Sequence, residues 1–85
     1  MIRIEFNRDL KRAIAYDENI LIGECTFEED DNIWNINHTF VNGNYQGQGI
    51  AKKLVNEVIE SGKKEGKKLV ADCSYAAKVL ENLNI

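Results

Sequence analysis

The sequence predicts a mixed α/β fold of the α+β type: a mostly antiparallel five-stranded sheet, with a long helix after strand four and a C-terminal helix after strand five. Three observations predict it. The first half contains four segments that are rich in β-branched or aromatic residues, or in which apolar and polar residues alternate. A glycine-rich stretch follows them, and the second half has two segments with apolar residues at helical spacing around one short apolar run. Since 85 residues allow only one core, we expect a single domain over residues 1–85.

Two short strands with a turn between them are expected first. Apolar and charged residues alternate over residues 2–6, which is the period-two pattern of a half-buried strand. Turn-forming residues 7–9 precede a second strand at residues 12–16. The start of the chain lacks the apolar run of a secretion signal, and the two cysteines do not suit a disulfide scaffold, so we expect a cytoplasmic protein.

Strands three and four are expected to form an antiparallel hairpin. Residues 20–27 and 33–41 are β-branched and apolar runs of strand length. Four consecutive acids, residues 28–31, lie between them. A block of like charge usually faces water, so the first interpretation is a solvated hairpin tip. The alternative is a negative surface that attracts a cationic amine.

The second half begins with a loop from Asn42 to Gly49 that is rich in Gly, Asn and Gln. From Ile50 onward, apolar residues at helical spacing predict an amphipathic helix of about four turns. We expect Gly62 and Gly66 to mark its end.

After the long helix, residues 69–71 are expected to form the short fifth strand. Ser74 has the side chain of a good N-cap, and we expect it to start a last helix that runs through Leu83.

The junction of loop and long helix suits an anion. A helix start has N–H groups without partners and the positive end of the helix dipole, and glycines let the backbone approach a phosphate. The spacing Gln46-x-x-Gly49-x-Ala51 fits this use. It matches neither the dinucleotide-binding fingerprint nor a P-loop, because no Gly-Lys-Ser/Thr follows it.

Composition narrows the choice of partners. The net charge of −3 gives no basic field for nucleic acid or an anionic membrane, so we expect neither as a partner. Two cysteines without a C-x-x-C pair and a single His do not form a metal-ligand set, so no metal is expected. An exposed sheet edge is compatible with a monomer or a weak dimer.

The motif and its context resemble the GCN5-related N-acetyltransferase superfamily, whose acetyl-CoA motif is Gln or Arg, two residues, Gly, one residue, then Gly or Ala. Within it, the chain resembles a branch of short acetyltransferase-like proteins that lack the N-terminal helices of larger members. This resemblance covers nearly the whole chain and rests on His38-Thr-Phe-Val41, Tyr45-Gln-Gly-Gln-Gly-Ile-Ala51 and Cys73-Ser-Tyr-Ala76. The sequence departs from the family where Asn42-Gly-Asn44 replaces the usual prolines and where Gln46 replaces the common Arg.

The resemblance implies that strands four and five diverge and that the pantetheine arm of acetyl-CoA lies between them. The pyrophosphate would meet the N–H groups of residues 47–51, and the thioester carbonyl would lie near Phe40 and Val41. The implied cofactor-binding residues are Phe40, Val41, Gln46, Gly47, Gln48, Gly49, Ile50 and Ala51.

Cys73 and His38 are the expected catalytic residues. A thiol just before a helix start feels the helix N-terminus, which favours the thiolate. The resemblance implies that Cys73 lies near the acetyl group, where it is a nucleophile, a base or a wall of the site; a small buried apolar residue is the alternative. His38 suits proton transfer near neutral pH and can deprotonate an amine or activate Cys73, although a lone His on a strand is often structural.

Four other residues have secondary roles. Tyr75 can protonate the departing CoA thiolate, as tyrosines do in larger relatives. Cys25 is expected in the core, Trp34 in packing and Tyr45 as an anchor of the loop.

These residues lead to three functional hypotheses. The first is an acyltransferase that moves an acetyl group from acetyl-CoA to an amine or another small nucleophile of unknown identity. The second is a module that binds CoA or acetyl-CoA without efficient turnover, because so small a scaffold has little material for an acceptor pocket. The third is an interaction domain in which the glycine loop only connects a hairpin to a helix.

Overall fold

The structure is a computed structural model that describes residues 1–83, and its elements follow the predicted order. They are β1 (Ile2–Asn7), β2 (Arg12–Asp17), β3 (Ile20–Asp30), β4 (Ile33–Val41), α1 (Ile50–Lys64), β5 (Lys68–Ala71) and α2 (Ser74–Leu83). A 3-10 turn, Gly43–Tyr45, lies in the loop between β4 and α1. In the described part of the chain, neither α-helix is long and apolar enough to cross a membrane.

The five strands form one sheet in the order β1-β2-β3-β4-β5. The first three pairings are antiparallel, whereas β4 and β5 are parallel and are joined through α1. The fold class predicted from the sequence is therefore confirmed.

One apolar core lies between the sheet and the two helices. Trp34 is fully buried within it, and its ring stacks on that of Phe27 at a centroid distance of 4.1 Å, with Phe6 beside the pair. The buried members of the core are Ala13, Ala15, Ile22, Cys25, Phe27, Trp34, Ile36, Ile50, Leu54, Val55, Val58, Ile59, Ala76 and Val79. Both helices thus cover the same face of the sheet.

The acidic run differs from the predicted solvated tip. β3 continues through Asp30, so three of the four acids lie in the strand. The Glu29 side chain is only 20% exposed, and it forms ion pairs with Arg8 at 2.9 Å and Lys67 at 3.3 Å. Arg8 also pairs with Glu65 just after α1. These four residues form an ion cluster that ties the β1–β2 turn to β3 and the end of α1.

Gly62 does not end α1, contrary to the expectation from sequence. It is a buried residue inside the helix, and a Cβ there would lie 3.0 Å from side-chain atoms of Trp34 and Leu69. Gly62 therefore allows α1 to approach β4 and β5 closely. Gly66, with a φ of 74°, follows the helix end as expected.

The start of α2 also differs by one residue from the prediction. The Ala77 N–H donates to the Cys73 carbonyl at 2.9 Å, which makes Cys73 the residue that caps the helix and Ser74 its first helical residue. Hydrogen bonding with the N–H groups of Ala76 and Tyr75 lowers the pKa of the Cys73 thiol. These are the two N–H groups that an N-cap side chain normally satisfies.

Candidate active site

β4 and β5 pair over only half the length of β4. The last paired residues are Ile36 and Ala71, after which the N–H groups of Asp72 and Cys73 both donate to the Ile36 carbonyl, at 3.0 and 3.1 Å. The chain then turns into α2, while β4 continues to Val41. The space between residues 38–41 of β4 and the start of α2 is called the gap below.

A β-bulge at Asn37 decides which side chains of β4 face the gap. His38 pairs with Thr26 and Ile36 pairs with Phe27, so Asn37 is an extra residue in β4. Side chains alternate between the two faces of a strand, and one extra residue reverses this alternation for everything that follows. Thr39 and Val41 accordingly turn towards the core side, and His38 and Phe40 are exposed on the outer face.

The backbone groups that face the gap belong to Thr39 and Val41. The Val41 carbonyl accepts a hydrogen bond from the Gln46 side chain at 3.1 Å, and hydrogen bonding with the Thr39 backbone lowers the pKa of the Cys73 thiol. Because backbone groups also alternate along a strand, Phe40 directs its N–H and carbonyl towards β3. The backbone groups that face the gap next to Cys73 are therefore those of Thr39 and not those of the predicted residue Phe40.

Cys73 lies at the bottom of the gap, surrounded by donors. Burial raises the pKa of its thiol, but hydrogen bonding with the Ala76 backbone, the Thr39 side chain, the Tyr75 backbone and the Thr39 backbone lowers it. The donors outweigh burial, so the pKa of Cys73 is below its ordinary value. A thiol with this environment is a stronger source of thiolate at neutral pH than an ordinary cysteine.

The Thr39 hydroxyl connects Cys73 to a second thiol. Its Oγ1 lies 3.6 Å from the Sγ of Cys73 and 3.6 Å from the Sγ of Cys25 on β3. Cys25 is a core residue, as predicted, and is fully buried. Burial raises the pKa of its thiol to about 11, so it stays protonated at neutral pH.

The loop before α1 is held at both ends. The Asn42 side chain accepts the Asn44 N–H, and the Tyr45 hydroxyl donates to the Asp17 carboxylate at 2.6 Å. The second bond confirms Tyr45 as the anchor of the loop. The Tyr45 hydroxyl and the N-terminal amine, in that order, hold the pKa of Asp17 below its usual value, although desolvation opposes them.

The start of α1 leaves its N–H groups available. Gly47 and Gly49 have φ values of 81° and 76°, a conformation that favours glycine. Gly49 occupies the N-cap position, where it has no side chain to bond the first turn, and that turn contains no acid. These N–H groups can therefore receive an anion, and the residues present fit a CoA pyrophosphate.

Two cavities meet at Tyr75, whose side chain is partly exposed. The first, of about 190 Å³, is lined by Val41, Tyr45, Gln46, Gly47, Gly49, Ile50, Ala51 and Tyr75. The second, of about 370 Å³, is lined by Lys52, Tyr75, Lys78, Val79, Asn82 and Leu83. Six of the eight predicted cofactor-binding residues thus line one cavity, while Phe40 and Gln48 do not.

The structure does not bring the two predicted catalytic residues together. His38 is exposed on the outer face beside Thr26, whereas Cys73 lies on the core side of β4. Thr39 is the residue of this strand whose side chain contacts the Cys73 thiol. Nothing in the sequence indicated this role for Thr39, because Trp34, Ile36 and Phe40 all lie at even-numbered positions, which hides the bulge.

The comparisons with known proteins come from sequence and from structure. A sequence profile of the family described as GCN5-related N-acetyl-transferase matches residues 12–84. A GCN5-like protein from Staphylococcus aureus, solved by NMR, has 33% identity and a TM-score of 0.72, with 96% of this chain and 80% of that chain covered. No curated protein sequence matches this chain.

Two longer enzymes share the fold at lower identity. The ribosomal-protein-S18-alanine N-acetyltransferase from Escherichia coli has a TM-score of 0.74 at 16% identity, with 92% of this chain and 54% of that chain covered. The PaiA N-acetyltransferase from Thermoplasma acidophilum, solved in complex with coenzyme A, has a TM-score of 0.62 at 23% identity. That match covers 66% of this chain and 35% of the enzyme.

Proposed function

Because the chain belongs to the GCN5-related N-acetyltransferase family, we propose that it acts as one domain that transfers an acetyl group from acetyl-CoA to an amine. The observation that carries the proposal is the gap between β4 and α2, with a donor-rich thiol at its bottom and an anion-binding helix start beside it. Such a combination offers a place for the thioester and a place for the phosphates of one ligand.

The proposed binding mode uses backbone groups. The N–H groups of residues 47–51 receive the pyrophosphate, because the glycines leave this helix start open. The gap-facing backbone of Thr39 and Val41 bonds the pantetheine arm, with Gln46 displaced from the Val41 carbonyl or retained beside it. Bound acetyl-CoA supplies an acetyl group activated as a thioester.

We assign Cys73 as the nucleophile. Its thiolate Sγ forms a bond to the acetyl carbonyl carbon while the bond from that carbon to the CoA sulfur breaks, and Tyr75, which lines the cavity at the glycine loop, gives the leaving sulfur a proton. An amine then attacks the acetyl carbon, the bond to the Cys73 Sγ breaks, and the amine nitrogen loses one proton. His38 lies outside the gap, so it is proposed to accept that proton through solvent, without contacting Cys73, and to return it through solvent to Tyr75.

The first test is a comparison of the purified protein with a Cys73→Ala variant. Titration with acetyl-CoA, followed by calorimetry and NMR, should show binding to both, with shifts centred on residues 38–51 and 69–75. Only the unchanged protein should release CoA in the presence of amines, with a rate at least about 100-fold above the variant. Its intact mass should increase by one acetyl group when no amine is present. Absence of binding at millimolar acetyl-CoA would refute the proposal.

A matched pair of glycine variants tests the loop. Gly49 and Gly66 both have positive φ, and a Cβ at either position meets no atom within 4 Å. Leucine at either position costs about 1–2 kcal/mol of stability because of this backbone conformation. Only Gly49→Leu should also weaken acetyl-CoA binding, by about tenfold or more, whereas Gly66→Leu should bind as before.

The alternative of a CoA-binding module has one observation in its favour. The chain spans only 54% and 35% of the two longer enzymes that share its fold, so it has less material with which to form an acceptor pocket. Binding of acetyl-CoA without turnover of any amine, together with no acetyl group on Cys73, would favour this alternative.

A further inference from the structure

We propose that Cys25 is a positioning residue for Cys73 and that it acts through the Thr39 hydroxyl. The three groups form a hydrogen-bond chain whose direction reverses when Cys73 loses its proton. The functional importance of this chain rests on the proposed role of Cys73 as the nucleophile. Cys25 itself touches neither the gap nor a ligand in this proposal.

The geometry places the Thr39 hydroxyl between the two thiols. Thr39 pairs with Cys25 across β3 and β4, so the two side chains lie on the same face of the sheet. On its other side, Thr39 faces the start of α2, and its Oγ1 is 3.6 Å from each sulfur. A threonine hydroxyl has a single proton and can therefore donate to only one of the two sulfurs at a time.

The direction of the chain depends on the charge of Cys73. With a neutral thiol, Cys73 donates to the Thr39 Oγ1, and the hydroxyl donates to the Cys25 sulfur. A thiolate has no proton to donate, so the hydroxyl must turn towards the Cys73 sulfur. The Thr39 oxygen is then without a donor unless Cys25 turns its S–H towards it. Only the Cys73 proton leaves, to solvent; the other two protons rotate about their C–O and C–S bonds.

Cys25 is suited to this supporting role. It is fully buried, so water does not compete for its place beside Thr39. Desolvation is the main cause that raises the pKa of Cys25 to about 11, and the charges of Cys73 and Glu24 act in the same direction. The hydrogen bond from Thr39 opposes them but is weaker. The Cys25 sulfur therefore keeps its proton at neutral pH. The titratable residues nearest to these three groups in sequence are Glu24 before Cys25, His38 before Thr39, and Asp72 and Tyr75, which lie one residue before and two residues after Cys73.

The two thiols are not arranged as a disulfide pair. One strand, β4, separates them, and two strand spacings amount to about 10 Å between backbones, whereas disulfides need about 4.4–6.8 Å between Cα atoms. Thr39 fills the space between the sulfurs. The conversion of this pair into a redox switch would require a backbone rearrangement, so a hydrogen-bond relay is the function that the geometry supports.

The experiment measures the thiolate of Cys73 without any acetyl-CoA. The rate at which iodoacetamide alkylates Cys73 is followed against pH, and peptide mass mapping separates this product from any reaction at Cys25. We expect Thr39→Val to move the midpoint of the profile to higher pH and to slow alkylation at pH 7 by about tenfold. Cys25→Ala should move the midpoint in the same direction and slow the reaction by about threefold.

Two conservative variants and one double variant separate positioning from packing. Thr39→Ser keeps the hydroxyl, and Cys25→Ser replaces the thiol with a hydroxyl that can also donate, so both variants should have a profile close to that of the unchanged protein. In a Thr39→Val background, Cys25→Ala should have no further effect, because the proposed connection is already broken. Circular dichroism and urea unfolding show that each variant is folded before its profile is compared.

The proposal is overturned if Cys25→Ala and Cys25→Ser both leave the midpoint of the alkylation profile unchanged. It is also overturned if Cys25→Ala still shifts this midpoint in the Thr39→Val background. The alkylation assay does not use acetyl-CoA. Failure of acetyl transfer would therefore leave the relay intact, and failure of the relay would leave the proposed transfer reaction standing.

Discussion

The two halves of β4 have different neighbours. Residues 33–36 are paired with β3 on one side and β5 on the other, and Trp34 and Ile36 are fully buried. Residues 38–41 are paired with β3 alone, and none of them is fully buried. The change occurs at the Asn37 bulge, in the middle of a single strand.

This difference separates stability from function within a few residues. The first half lies in the aromatic stack, close to the ion cluster of Arg8, Glu29, Glu65 and Lys67. The second half leaves backbone groups free to face the gap and the Cys73 thiol. One strand thereby builds the core with one end and the candidate site with the other. Substitutions in the first half should accordingly affect unfolding, and those around the second half should affect the site.

The largest expected effect is the difference in the free energy of unfolding between Trp34→Ala and Phe40→Ala. Trp34 is fully buried and stacked, so its truncation should lower the free energy of unfolding by about 3–5 kcal/mol. Phe40 is 47% exposed, and its truncation should cost about 1 kcal/mol or less. Urea unfolding measures both. Equal losses would show that the second half of β4 contributes to stability as much as the first.

A smaller effect is expected when the close packing of α1 on the first half is disturbed. In Gly62→Ala the new methyl group would lie 3.0 Å from atoms of Trp34 and Leu69, so neighbouring side chains must shift. Such overpacking should cost about 1–3 kcal/mol, even though alanine is the better helix former. Ser61→Ala, one residue earlier in α1, is the control and should leave stability unchanged or slightly raised. A stabilised Gly62→Ala protein would contradict the close approach.

The smallest effect is a pH dependence of stability at the ion cluster. Hydrogen bonding to Arg8 lowers the pKa of Glu29 to about 2, against desolvation. A carboxyl with a depressed folded-state pKa contributes stability above its ordinary pKa of about 4.3, and that contribution is lost as the pH falls towards 2. Glu29→Gln should lower stability at pH 7 and flatten its decline over this window.

Glu60→Gln, an exposed position on α1, is the matched control for this titration. It should leave the pH profile of unfolding unchanged. If the Glu29→Gln protein has the same pH profile of unfolding as the unchanged protein, the ion pairs of Glu29 do not contribute to stability.

Much of the fold was predictable because it depends on local patterns. The alternation from Ile2 to Phe6 and the apolar spacing after Ile50 identify a strand and a helix without any knowledge of their neighbours. The glycine loop was also recognisable, since Gly47 and Gly49 have the positive φ values that glycine permits.

The errors concern residues whose role depends on a distant neighbour. Gly62 resembles a helix terminator until β4 and β5 are placed against it, and Glu29 resembles a solvated acid until Arg8 and Lys67 reach it. Ser74 was the better N-cap by residue type, but the turn from β5 into α2 places Cys73 at that position. No local pattern carries this information.

The sequence by itself determined the order of the elements, the position of the glycine loop and the presence of a thiol at the start of the last helix, because each depends on residues close together in the chain. Only the tertiary structure decided that Thr39, rather than His38, contacts Cys73. The physical reason is the bulge at Asn37: one unpaired residue reverses the two faces of a strand, and pairing with β3 creates it.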